Sequence, residues 1–180
     1  MLFYSMRILS FVVVFMFIYS SNVLAIDESI KKTVSQAFDA KERGDYENAY
    51  RLFKKVLDYG PSKLNREQIS SMQYMILGSA YNAAEKKVGS GNLNSALYWI
   101  DKGLELGPVQ TNGKVNIYYP ALLMLKGAGY YELKKYEESY QNFSKANKYI
   151  DTAVENDNFG FKNAIKTQII KGLQALKYKR

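Results

Sequence analysis

An all-α fold is predicted by three features of the sequence. Apolar residues recur at three- and four-residue steps through most of the chain, and glycine–proline pairs punctuate it at Gly60-Pro61 and Gly107-Pro108. Only 3 prolines occur in 180 residues, which suits long uninterrupted helices. With 47% hydrophobic residues the chain has the material for a packed core and does not read as a disordered polymer.

The first 25 residues read as an address and not as fold. Arg7 is followed by an apolar run of 12 residues, Ile8 to Tyr19, then by polar Ser20, Ser21 and Asn22, then by Val23-Leu24-Ala25. A charged start, an apolar middle and a small-residue cleavage site make a secretory signal peptide. The run is short of the roughly 20 residues that span a bilayer as a helix, so no stable membrane span is expected after cleavage. The mature domain is read as residues 26–180.

Three helical hairpins follow, at about 27–60, 65–107 and 120–150. In the first, Ile30, Val34, Ala37, Phe38 and Lys41 mark one helix, Arg43-Gly44-Asp45 stops it, and a second helix runs from Tyr46 to Asp58 with Ala49, Leu52, Phe53, Val56 and Leu57 inward. The second opens at Asn65, with Gln68 three residues on as a capping box requires. Met72, Met75, Ile76, Leu77, Ala80, Tyr81 and Ala84 form its apolar face, Gly89-Ser90-Gly91 breaks it, and Leu93, Ala96, Leu97, Ile100 and Leu104 face inward from the partner helix. A longer connection, Val109 to Tyr119, leads to Pro120, well placed in a first helical turn. The third hairpin carries Leu122, Leu123, Leu125, Gly127, Tyr130 and Tyr131, then Tyr140, Phe143 and Ala146 inward. A capping helix at about 159–178 shows Ile165, Ile169, Ile170, Leu173 and Leu176 on one stripe.

The third hairpin reads Leu123, Gly127, Tyr130, then Tyr136, Ser139, Phe143 and Ala146. The first offers Ala37, Ala40, Gly44, Tyr46, Ala49, Phe53, Val56 and Pro61, and the second Tyr74, Leu77, Gly78, Tyr81, Ala96, Ile100, Gly103 and Pro108. This alternation of small and aromatic residues resembles the tetratricopeptide repeat (TPR) family over residues 33–149. The resemblance implies antiparallel hairpins stacked as a short right-handed superhelix with a C-terminal capping helix. The spacing departs from the family: Phe53 to Ile100 is 47 residues and Ile100 to Phe143 is 43, against about 34.

The resemblance also implies a concave face lined by the first helix of each hairpin. The matching positions that make the candidate partner-binding groove are Lys31, Val34, Phe38 and Lys41, then Met72, Met75 and Asn82, then Met124, Ala128 and Tyr131. The family's carboxylate clamp of lysines and asparagines is not carried here, because these places are mostly apolar. Methionines on such a wall suit adaptable binding of apolar side chains, and an exposed wall of this kind would mark a binding site. The alternative is that the last helix or the long connection covers these residues as ordinary core.

Little else points to chemistry. The chain has no cysteine and no histidine, which excludes disulfides, thiol catalysis, Ser-His-Asp catalysis and the usual zinc ligands. Gly89-Ser90-Gly91 is too short for a phosphate loop, Glu137 and Glu138 are adjacent and point apart, and Asp151, Glu155 and Asp157 lack the spacing of a calcium loop. No catalytic residue, metal or cofactor is expected. The expected role is a non-catalytic scaffold or adaptor in the bacterial periplasm or cell envelope, or secreted. Its partner would be a protein or peptide presenting apolar side chains, with acidic residues attracted by rim lysines under a net charge of +8. The alternative is a structural subunit of a homo-oligomer or envelope complex with its apolar face permanently buried. Lysines are spread along the chain, and nucleic acid is not expected as a partner.

N-terminal sequencing of the protein from its native host is expected to begin at Ile26. A cytosolic protein beginning at Met1 would overturn the signal-peptide reading.

Overall fold

The computed structural model describes residues 28–59, 63–108, 110–111, 114–154 and 160–179. The signal-peptide segment, the Gly60-Pro61 stop, Asn112-Gly113, Glu155 and Asp157 lie outside the described residues. Seven helices are described: α1 (Glu28–Glu42), α2 (Tyr46–Asp58), α3 (Arg66–Gly89), α4 (Leu93–Leu104), α5 (Tyr118–Glu132), α6 (Tyr136–Ile150) and α7 (Phe161–Leu176). They pack in neighbouring pairs, as an all-α helical-repeat fold does. The chain divides into two compact units, one ending at Ser79 and one starting at Ala80.

The three hairpins share one turn. Gly44, Gly91 and Lys134 are left-handed, with φ of 72°, 74° and 58°. Asp45, Asn92 and Lys135 follow with φ/ψ of −86/67, −90/74 and −87/71. At each turn two backbone bonds close the helix: Gly44 and Asp45 N–H donate to Lys41 and Ala40 O, Gly91 and Asn92 to Val88 and Lys87 O, and Lys134 and Lys135 to Tyr131 and Tyr130 O, all at 2.9–3.0 Å. This is the Schellman arrangement, which satisfies the last orphan carbonyls. The residue that ends the closure also begins the next helix. Asp45 Oδ1 accepts from Asn48 N–H and Asn92 Oδ1 from Ser95 N–H, whereas Lys135 has no side chain able to do so.

In the first unit, α1 and α2 bury Ile30, Val34, Ala37, Phe38 and Ala40 against Ala49, Phe53 and Val56. Phe38 and Phe53 meet edge to face with ring centres 5.2 Å apart. The capping box at α3 is formed as expected: Gln68 N–H donates to Asn65 Oδ1 and Asn65 N–H to Gln68 Oε1, both at 2.9 Å.

In the second unit, small residues set the helix spacing. A methyl group on Gly103 of α4 would stand 2.5 Å from Leu122 of α5 and 2.9 Å from Ala80 of α3. Phe143 of α6 lies between two glycines: a Cβ on Gly127 of α5 would be 2.9 Å from its ring, and one on Gly172 of α7 2.6 Å from its Cε1. Ser139 Oγ donates to the Gly127 carbonyl at 2.7 Å, a buried bond between α6 and α5. Three of the residues that carry the TPR resemblance in this hairpin, Gly127, Ser139 and Phe143, are thus the ones at the α5–α6 contact.

Three differences from the sequence reading follow. The long connection forms part of a small sheet, β1 (Gln110–Thr111), β2 (Lys114–Asn116) and β3 (Ala153–Val154), in that order, with β1–β2 antiparallel and β2–β3 parallel. Strands of two or three residues are too short to show a period of two in sequence. The β2–β3 pairing joins the segments just before α5 and just after α6, at the end of the hairpin opposite its turn. Tyr140, expected inward, is exposed. On α7 the buried stripe is Ile165, Ile169, Gly172 facing Phe143, and Leu176, so Ile170 falls about 100° around the helix and is exposed.

Gly172→Ala and Gly127→Ala are each expected to destabilise the second unit by about 1–3 kcal/mol, because Phe143 cannot yield toward either neighbour. Phe143→Leu in the Gly172→Ala background is expected to restore part of the loss. Denaturant unfolding followed by circular dichroism measures both, and glycine variants as stable as the parent would refute the wedge.

Candidate functional site

The ten groove positions divide between the two units. In the first, Val34, Phe38, Met72 and Met75 are buried, while Lys31 and Lys41 are half-buried. Lys31 pairs with Glu28 at 3.7 Å. Lys41 reaches Met75, with Nζ 3.8 Å from the thioether sulfur. In the second unit Met124 is buried, and Asn82, Ala128 and Tyr131 are half-buried. The Tyr131 ring packs on Tyr136, centre to centre 5.6 Å. The five large apolar members therefore do not present a solvent-facing wall. A helix face reads the same in sequence whether solvent or another helix lies opposite, and here these side chains are covered.

Lys41 is perturbed by its surroundings. Burial pushes its ammonium down from the usual lysine value, and nearby Glu42 acts weakly the other way. A thioether is a poor acceptor for an ammonium, so this charge is incompletely compensated.

An apolar recess that the groove positions do not include opens between α6 and α7. It encloses about 470 Å³ and is lined by Tyr140 and Asn147 of α6 with Ile170, Leu173, Gln174, Leu176 and, just past the helix, Lys177. Its floor follows from the Phe143 wedge, which turns the 165/169/172/176 stripe of α7 inward. Ile170, Leu173 and Lys177 are then left lining the recess. The signal was present in sequence, since five apolar residues on α7 make a face wider than one neighbour needs. No family model, curated protein or solved structure matches this chain. The reading therefore rests on the geometry of the chain itself.

The start of α7 is tied to the segment that follows α6. Lys166 Nζ bonds Asp151 Oδ1 at 2.7 Å, and Lys162 Nζ donates to the carbonyls of Asp151 and Ala153 at 2.9 Å each. The Lys166 ammonium holds the Asp151 carboxyl below its usual range. Nearby, Tyr81, Tyr118 and Phe161 pack ring against ring at 5.6–5.8 Å, and the Tyr81 hydroxyl donates to Glu85 at 3.1 Å. Burial and the Glu85 carboxylate raise the Tyr81 phenol well above its ordinary value. Among the described residues no group of three or more acidic, thiol or imidazole side chains is placed to hold a metal ion.

Because folding depresses the Lys41 pKa, the folded state carries a penalty that is full below that lowered value and vanishes as pH rises toward 10.5. Lys41→Met is thus expected to be more stable than the parent at pH 7, with the difference shrinking as pH rises. Denaturant unfolding at a series of pH values tests this; a difference that stays constant with pH would remove the desolvated ammonium as its cause.

Proposed function

We propose that this protein is a non-catalytic scaffold or adaptor that binds another protein or a peptide in the bacterial periplasm or cell envelope. The observation that carries the reading is the repeated hairpin: the same left-handed turn recurs at Gly44, Gly91 and Lys134, 47 and 43 residues apart, matching the spacing of Phe53, Ile100 and Phe143. Repeated helical hairpins leave helix faces unpartnered at their surfaces and ends, and such faces serve association. The TPR resemblance supports the same role. The export signal in the sequence supports the location, and no described helix is long and apolar enough to cross a membrane.

A second reading is a structural subunit whose apolar face is permanently buried in a homo-oligomer or envelope complex. The exposure of Ile170 beside the α6–α7 recess favours it.

Affinity capture from the envelope fraction of the native host, followed by reconstitution of each captured protein with the purified chain, tests the first reading. A direct, saturable complex with a defined partner is expected. Recovery of no direct partner would overturn it. Sedimentation of the purified chain separates the two readings: the scaffold is expected as a monomer, and a stable oligomer at all concentrations favours the subunit.

A further inference from the structure

We propose that the α6–α7 recess is a docking site for an acidic amphipathic helix of a partner protein. This rests on the scaffold reading and names the place and the chemistry of its contact.

The shape of the site argues for a helix. Within the second unit α5 packs against α4, α6 and α7, and α6 against α5 and α7. Helix α7 turns its 165/169/172/176 stripe inward and leaves Ile170, Leu173 and Lys177 lining the recess. These follow steps of three and four, the repeat of a helix surface that another helix covers. Ile170 is 42% exposed, and Tyr140 stands exposed on the opposite wall. A cavity of about 470 Å³ takes one or two large apolar side chains inserted between the two helices.

Charge selects the occupant. From Gly160 to Arg180 the sequence has no aspartate or glutamate, while Lys162, Lys166, Lys171, Lys177 and Lys179 are all basic. Lys162 and Lys166 are engaged with the Asp151–Ala153 segment. Lys177 lines the recess and has no carboxylate partner among the described residues. The acids of α6, Glu137 and Glu138, stand in its first turn. A second copy of the chain would bring a second basic α7 against the first, and like charges facing across a contact oppose it. The apolar stretch of residues 8–19 has no carboxylate to offer either. A helix with a large apolar residue every three or four positions and glutamates or aspartates flanking that stripe satisfies both the recess and its rim.

The probe is a synthetic amphipathic peptide of about 18 residues, long enough to hold helix, with leucines on one stripe and glutamates on the flanks. Fluorescence anisotropy with the full chain is expected to show saturable binding that weakens as salt rises. Ile170→Glu and Lys177→Glu are each expected to weaken it at least about tenfold, with helical circular dichroism unchanged at these exposed positions. A peptide with lysine in place of every glutamate is expected not to bind. The proposal is overturned by equal binding of the two peptides, by peptide binding that these variants leave unchanged, or by no binding. It is also overturned if the chain binds phosphatidylglycerol vesicles through Ile170 but not the peptide, or if it self-associates through Ile170. A native partner whose capture survives Ile170→Glu would overturn this site and leave the scaffold reading standing; no direct native partner would overturn the scaffold reading itself.

Discussion

The wedge of Phe143 between Gly127 and Gly172 is the contact on which the second unit depends. Two backbones without side chains at that level let three helices approach one aromatic ring, and the buried Ser139–Gly127 bond holds the α5–α6 half of the contact in register. The wedge decides the rotation of α7 about its own axis. Once Gly172 must face the ring, Ile165, Ile169 and Leu176 turn inward with it, and Ile170 and Leu173 are left at the edge of an open recess. An open recess thus arises as the remainder of a packing requirement. A residue larger than glycine at either position would move the ring, the helix and the recess together.

The repeated turn is the second constraint. A helix that must reverse within three residues has to satisfy its last carbonyls and the next helix's first N–H groups over the same short stretch. The left-handed residue followed by an Asp or Asn does both at Gly44-Asp45 and Gly91-Asn92. Lys134-Lys135 reaches the same backbone geometry with neither advantage. Left-handed φ in a residue with a Cβ costs about 1 kcal/mol, and the lysine at the N-cap accepts nothing. That turn is held by what surrounds it. The hairpin it closes has the Gly127–Phe143 contact in its middle and the β2–β3 pairing at its far end, so the backbone is fixed from both sides.

Helix existence was legible wherever glycine, asparagine or proline marked an end and the apolar period ran unbroken between. The capping box at Asn65 and Gln68 could be placed to the residue, because its chemistry is local: two side chains, two N–H groups, three residues apart. The groove was less legible. Val34, Phe38, Met75 and Met124 lie on apolar helix faces, but helix periodicity says only that a face is apolar and is silent on what lies against it. The recess between α6 and α7 shows the same limit from the other side, since Ile165, Ile169, Ile170, Leu173 and Leu176 read as a single stripe.

By itself the sequence determined the all-helical class, the spacing of the hairpins, the absence of thiol and imidazole chemistry, and the basic character of the C-terminal helix. These follow from composition and from interactions between residues within a turn or two of each other. Only the tertiary structure decided which apolar faces are covered, that Lys41 ends against Met75, that two short strands close the third hairpin, and that Ile170 and Leu173 flank an opening. Each of these depends on contacts between residues far apart in the chain, and such contacts are set by how side chains of particular size fit between helices, which no local period encodes.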